Sequence, residues 1–283
     1  RQTRFMSIKP FTPAVLKEIM AEYNPNYTSE DLLALYSFTG GVAKYVQLLV
    51  DAGATTKTKM LNHIIKADSV FLGEGKAILI EEFGKDYGVY FSILSAIARG
   101  KTLRSEIEQI VGREIGGYLT KLEKEYEVIT KNQPIFEKSS TKNVRYTIED
   151  NFFTFWFRFI YKYNYMLEIE NFDAVKTIIN RDYETFSGKM LERYFKRVLM
   201  ESKAYTRIGS WWDRKGENEI DIVAENELND EATFIEVKRK EENFDAIALN
   251  EKVDANEINA NETISIQDKI DEISKKIDAP ILL

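Results

Sequence analysis

The segment Glu219 to Lys240, EIDIVAENELNDEATFIEVKRK, constrains the fold more than any other part of the chain. Two runs rich in Ile and Val, Glu219 to Ala224 and Thr233 to Val237, flank a polar stretch with Asn226, Asn229 and Asp230, the pattern of a β-hairpin. Side chains alternate between the two faces of a strand. Ile220 and Ile222 should face one way and Glu219 and Asp221 the other, while Ile235 and Val237 separate from Phe234, Glu236 and Lys238. One sheet face is then expected to carry Asp221, Glu236 and Lys238 together. Carboxylates on adjacent strands are hard oxygen donors suited to Mg²⁺, which takes few protein ligands and keeps water and phosphate around it. A lysine two residues past the second acid can orient a metal-bound water or offset charge on a phosphoryl group. Alternating charge on a strand is also the ordinary look of a solvated sheet face.

Asp221 followed by Glu236-Val237-Lys238 resembles the PD-(D/E)XK nuclease superfamily. Two further stretches extend the resemblance: Gly216-Glu217-Asn218-Glu219-Ile220-Asp221, like the run into the family's acidic strand, and SGKMLERYFKRVLMES, like its helix with a glutamate, here Glu192. The resemblance implies that Asp221 and Glu236 bind Mg²⁺ or Mn²⁺, that Lys238 assists the attacking water, and that Glu192 is an auxiliary acid. It implies phosphodiester hydrolysis in DNA; the alternative is a non-catalytic regulatory scaffold that binds DNA or protein.

Asp182 to Ser202 reads as one amphipathic helix, with Phe186, Met190, Leu191, Tyr194, Phe195 and Val198 on its buried stripe and Glu192 at the edge. Lys189, Arg193, Lys196, Arg197 and Lys203 make it basic, and with Arg207, Arg214 and Lys215 they form the candidate phosphate footprint. Trp211 and Trp212 suit packing better than base stacking. Past Lys240 the chain turns acidic and polar, with Asp245, Glu251, Asp254, Glu257 and Glu262; Asp245 to Val253 and Gln267 to Ile277 are candidate helices and Ala279 to Leu283 a poor terminal strand.

Between Tyr87 and Glu149 three apolar stripes mark three short helices: Tyr87, Tyr90, Phe91, Leu94 and Ile97; Leu103, Ile107, Ile110 and Val111; Ile115, Tyr118, Leu119 and Leu122. A hairpin follows, starting at Val128 and Ile129 and returning with Val144, Tyr146 and Ile148 alternating with Asn143, Arg145 and Thr147. Three helices plus a hairpin is the winged form of helix-turn-helix, whose third helix, here about Arg113 to Glu125, can enter a major groove. That helix balances Arg113, Lys121 and Lys124 against Glu114, Glu123 and Glu125, so DNA and protein are equally fitting partners. The wing, with Lys131, Lys138, Lys142 and Arg145 against Glu137, is more basic. The next run, Asp150 to Phe159, is dense in aromatics and reads as core or interface.

From Thr12 to Ala52 apolar residues recur at helical spacing, with Thr12-Pro13 and Thr28-Ser29 as helix starts and Gly40-Gly41 as a tight turn. The opening Pro-Phe, the TGGVAKY of residues 39–45 and the aromatic run resemble the lid, turn and C-terminal link of an AAA+ ATPase family common in archaea, with Ala43 where that family has proline. The resemblance implies a multidomain α and α/β protein: a lid-like helical bundle over 1–82, a winged helix over 83–150, an aromatic helical linker over 151–181 and a restriction-endonuclease-like α/β domain over 182–283. Gly73-Glu74-Gly75-Lys76 lacks the spacing and hydroxyl of a P-loop, so ATP would bind only through an upstream module. RQTRFMSIKPF opens as if in mid-domain, as a fragment would.

Composition narrows the chemistry. With no Cys and a single His63 there is no disulfide, thiolate zinc site or histidine cluster, and His63 is expected to be structural or exposed. A net charge of −7 argues against non-specific coating of nucleic acid, so any DNA contact is local. No signal-like segment opens the chain, and Phe152 to Ile160, with Arg158 inside, is too short to cross a bilayer, which points to the cytoplasm and to no membrane partner.

Overall fold

The computed structural model describes residues 8–138 and 142–240, with 245, 248–249, 252–253 and 262–263. Its first part is helical: α1 Pro13–Tyr23, α2 Ser29–Thr39, α3 Ala43–Asp51, α4 Lys57–Ile64 and α5 Val70–Phe83. The helix starts are chemical. The Thr12 hydroxyl accepts from the Val15 amide, and Thr28 and Asp31 close a reciprocal capping box at the head of α2. Gly40 and Gly41 take positive φ between α2 and α3, and a Cβ on Gly41 would stand 2.4 Å from the Phe11 carbonyl oxygen, so only glycine admits this close turn. Gly75 is another contact glycine, inside α5 and under the Trp156 ring, which is why Gly73 to Lys76 is helix packing and no phosphate loop. His63 is half-buried on α4 beside Phe71, and burial, then the Lys66 charge, lower its pKa.

Three helices and a hairpin follow as expected: α6 Tyr87–Ala98, α7 Arg104–Val111, α8 Gly116–Lys124, then β1 Ile129–Asn132 antiparallel to β2 Arg145–Ile148. The aromatic run forms α9 Asn151–Phe155, widens into a π-helical turn over Trp156–Tyr161, and leads to α10 Asn164–Glu168. Phe152, Phe155, Trp156, Phe157 and Phe159 are buried, as the reading of this run as core requires. They join three parts of the chain: Phe155 meets Phe38 of α2 with centroids 4.8 Å apart, Phe157 meets Phe91 of α6 at 5.3 Å, and Phe159 meets Phe186 at 5.4 Å.

Phe186 lies on α11, Phe172–Ser202, which starts ten residues before the expected Asp182. Val175 and Ile179 are buried in phase with Tyr183, Phe186 and Met190, so the apolar stripe simply continues upstream. The expected boundary between linker and last domain therefore falls inside a continuous helix.

The second sheet has strand order β3 Arg207–Trp212, β4 Glu219–Asn226, β5 Glu231–Ile235, β6 Glu262–Thr263, with β6 parallel to β5 and the other pairs antiparallel. One face packs Ile222, Ile235 and Val237 into the main core with Met190, Leu191 and Phe195 of α11. The other buries Ile220, Val223 and Phe234 with Ile135, Leu249 and Val253. Leu249 and Val253 belong to helical residues between β5 and β6, within the expected Asp245 to Val253 segment. The candidate helix at Gln267 to Ile277 and the terminal strand at Ala279 to Leu283 lie outside the described residues.

Candidate functional site

The expected hairpin is present, but its faces are not those that simple alternation gives. Gly209 pairs with Val223 and Trp211 with Ile220, so Asp221 and Ile222 together stand opposite the single Ser210. This is a β-bulge, and it shifts the alternation by one residue. Ile220 joins the cluster with Val223 and Phe234, Ile222 the one reaching α11, whereas alternation had placed both on one face. The Ser210 hydroxyl donates to the Asp221 carbonyl at 2.7 Å, supporting the bulge where the ladder is interrupted. Asp221 is thereby placed where its charge acts on Lys189 and Glu192 of α11.

β5 ends at Ile235, so Glu236, Val237 and Lys238 run just past the ladder rather than inside it. Asp221 makes the link: its Oδ2 accepts the Val237 amide at 2.8 Å. Lys238 Nζ lies 2.7 Å from Glu236 Oε1 and 4.0 Å from Asp221 Oδ2. The three residues expected to converge do converge, through a carboxylate–amide bond in place of a ladder pair.

Glu192 stands with them. Burial, with the charges of Asp221 and Glu219, pushes its carboxyl up to about 7 against the pull of Lys189, whose Nζ is 2.9 Å away. Asp221 is also raised, first by burial and further by Glu236, while the Val237 amide opposes the shift. For Lys238 burial works downward, but the Glu236 bond and the nearby carboxylates outweigh it and hold the ammonium above its ordinary value. Both carboxyls are raised first by burial, which describes acids withdrawn from water beside protonated lysines.

A divalent cation fits that description. Glu236 is 12% exposed at its side chain, and its Oε2 is buried with no hydrogen-bond partner among the described residues. An orphaned carboxylate oxygen is costly unless a cation or water completes it. No group of three or more His, Cys, Asp or Glu side chains is arranged to hold a metal among the described residues. Two carboxylates, with water and phosphate for the remaining positions, are a donor set that Mg²⁺ accepts.

The reading of Glu219 to Lys240 leaves out three neighbours. Lys252 reaches Glu236 Oε1 at 3.3 Å and the Glu219 carbonyl at 3.1 Å. Ser210 supports the bulge, and Arg239 anchors the segment beyond Lys238. A serine one residue from a Trp-Trp pair carries no sequence signal for a bulge; the basic pair after Glu-x-Lys does mark Arg239.

The expected basic footprint divides. Arg193 is drawn inward, its guanidinium 3.0 Å from Asn151 Oδ1, and burial lowers its pKa. Lys196 is lowered by burial too, Arg197 pairs with Glu201 at 2.9 Å, and Lys189 serves Glu192. Arg145 pairs with Glu219 at 2.9 Å and stacks over the Trp212 ring at 4.5 Å. Lys142, Arg214 and Lys215 are exposed. Asn143 and Trp212 bond each other twice, Nε1 to Oδ1 at 2.9 Å and Nδ2 to the carbonyl at 3.3 Å, so Lys142 and the Arg214-Lys215 turn flank one junction. Trp212 is buried packing, as expected.

Residues 156–258 match DUF234, a family described as archaea bacterial proteins of unknown function. An uncharacterized protein of Methanocaldococcus jannaschii is 32% identical over 256 residues, covering 85% of this chain and 54% of that protein. The chain thus spans about half the length of the curated relative it matches. No solved structure matches it. Among the described residues, no helix is long and apolar enough to cross a membrane.

Proposed function

We propose that this chain carries a divalent-metal-dependent DNA-cleaving site of the PD-(D/E)XK kind, set beside a winged helix and a lid-like helical bundle of an AAA+ ATPase-type protein. The observation that carries the reading is the linkage of Asp221 to Glu236 and Lys238 at the end of β5, with Glu192 in the field of Asp221 and with the buried Glu236 Oε2 left without a hydrogen-bond partner among the described residues. Asp221 and Glu236 would hold Mg²⁺ or Mn²⁺, which supplies Lewis acidity and a more acidic bound water. Lys238 holds its proton firmly and so acts as a fixed positive charge beside the reacting phosphate, orienting water or offsetting negative charge. Glu192, poised near neutrality, can hold or release a proton at the edge of the site. Lys142, Arg214 and Lys215 form the lip along which a phosphate backbone would lie.

The order α11, three antiparallel strands, a helical segment and a strand parallel to the third supports this reading, because it supplies the further helix and strand that a nuclease sheet needs. The winged helix is assigned to DNA or protein contact. ATP binding, if the whole protein has it, belongs to a module outside this chain, and a relative of which this chain covers 54% leaves room for one. The second reading, a scaffold that binds without cutting, draws on Lys238 and Lys252, both of which neutralise Glu236 Oε1.

The test is to incubate the chain with supercoiled and branched DNA and Mn²⁺, beside Asp221→Ala and Lys238→Ala. Cutting that requires Mn²⁺ and is lost in both variants is the expected result. Binding without cutting assigns the DNA-scaffold role, and neither binding nor cutting removes the nuclease and leaves a protein-interaction module.

A further inference from the structure

Arg239 follows directly on Lys238, yet its side chain leaves the sheet for the N-terminal bundle. Its guanidinium meets Glu30 Oε2 of α2 at 2.7 Å, donates to the Ser187 hydroxyl of α11, and lies 5.6 Å from the centroid of the Tyr183 ring. The other oxygen of Glu30 takes Lys57 Nζ at 3.0 Å, and that ammonium stands 4.6 Å over the same Tyr183 ring. Tyr183 is only 3% exposed, so an acid and two cations from distant parts of the chain close around one buried aromatic of α11.

This contact matters because of where β5 stops. The β4–β5 ladder ends at Ile235, and residues 236–239 have no strand partner among the described residues. Their anchors are the Val237 amide on Asp221, the buried Val237 side chain, the two lysines on Glu236, and Arg239 on Glu30 and Ser187. Arg239 is the anchor that reaches α2. Removing its acid leaves the Arg239 guanidinium with the Ser187 hydroxyl and the Tyr183 ring among the described residues.

We propose that Glu30 is a positioning residue for the candidate site: acting through Arg239, it sets where Val237 and Lys238 stand against Asp221, so that a displacement of α2 against α11 is transmitted to the site. The catalytic consequence rests on the nuclease reading; the mechanical coupling does not.

Amide hydrogen exchange on the whole chain tests the coupling without any DNA. Glu30→Ala should speed exchange at the Val237 amide, which donates to Asp221, by about tenfold, because a local anchor and not the global fold is lost. The amides of Leu35 and Phe38, inside α2, should keep their protection. Arg239→Ala should do the same, the double variant should be no faster than Arg239→Ala alone, and Glu30→Asp should restore part of the protection. Lys57→Ala, which removes the other cation on Glu30, should leave Val237 unchanged. Unchanged exchange at Val237 in Glu30→Ala, additive effects in the double variant, or an equal loss of protection inside α2 overturns the proposal. If Glu30→Ala does not fold, Arg239→Gln, which keeps a donor and loses the charge, decides by the same amides. Where the wild type cuts DNA with Mn²⁺, Glu30→Ala should also raise the Mn²⁺ concentration for half-maximal cutting by about tenfold. A wild type that does not cut defeats the nuclease reading and leaves the exchange result standing.

Discussion

Glu192→Gln should make the metal-free protein more stable at alkaline pH and leave it unchanged in acid. Burial, with Asp221 and Glu219, moves the Glu192 carboxyl from 4.5 to about 7, and Lys189 opposes the shift. An acid raised by folding binds its proton more tightly in the folded chain than in the unfolded one. Its contribution to stability is therefore fully present below 4.5 and lost as pH rises through about 7. At about 1.4 kcal/mol per pH unit the ceiling is about 3 kcal/mol. The side chain is 23% exposed and paired with Lys189, which brings the working figure to about 1–2 kcal/mol. Glutamine keeps the shape and removes the charge. For a chain of this size Tm should match the wild type near pH 4.5 and exceed it by about 2–5 °C at pH 8. Circular dichroism melts in EDTA-containing buffers from pH 4.5 to 8.5 give the curve. A Tm difference that stays flat with pH, or a variant less stable than wild type at pH 8, would refute the reasoning, because Glu192 would then behave as a solvated acid or be governed by its pair with Lys189.

Gly75→Ala separates packing from helix propensity. Propensity alone favours alanine by about 1 kcal/mol, but the new Cβ would stand 2.4 Å from the Trp156 ring, so a net loss of about 1–3 kcal/mol in urea unfolding is expected and a gain refutes the contact. Arg193→Ala should cost about 2–3 kcal/mol by the same assay, since it breaks charge-assisted bonds to Asn151 and the Glu149 carbonyl, and should leave DNA affinity alone. Arg214→Ala with Lys215→Ala should show the opposite pattern: unchanged stability, weaker DNA binding, and a salt slope in log K reduced by about 1–2. DNA affinity that falls with Arg193 and not with the turn pair places the footprint elsewhere.

What was legible in the sequence follows the range of the interactions involved. Helix starts are decided within four residues, so Thr12 and Thr28 are legible as caps, and the structure adds Asp31 as the second half of a capping box. The aromatic run could be read as core because so many rings in succession leave no polar face. The start of α11 was missed where Lys176, Asn180 and Arg181 interrupt the view, although Val175 and Ile179 hold the period. Part of the basic footprint is paired within its own helix: Arg197 has Glu201 four residues on and Lys189 has Glu192 three on, spacings at which helix side chains pair. The inward turn of Arg193 depends on Asn151, 42 residues away, and no local pattern announces it.

The candidate site shows why period alone was insufficient. Continuing the Ile222–Ile235 register would have put Asp221 directly across from Glu236 in an unbroken ladder. The chain instead inserts a bulge at Asp221, ends β5 one pair earlier, and uses the Asp221 carboxylate to hold the Val237 amide. A residue freed from the ladder needs other supports, and these come from outside the sheet: Arg145 of the hairpin grips Glu219 on one side, and Glu30 of the bundle grips Arg239 on the other. A unit beginning at residue 182 would cut α11 in its middle and discard both supports. The bonds among the four polar side chains, Asp221 to the Val237 amide and Lys238 to Glu236 and Asp221, would remain, but Glu219 and Arg239 would lose the partners that tie the two ends of the site to the hairpin and the bundle.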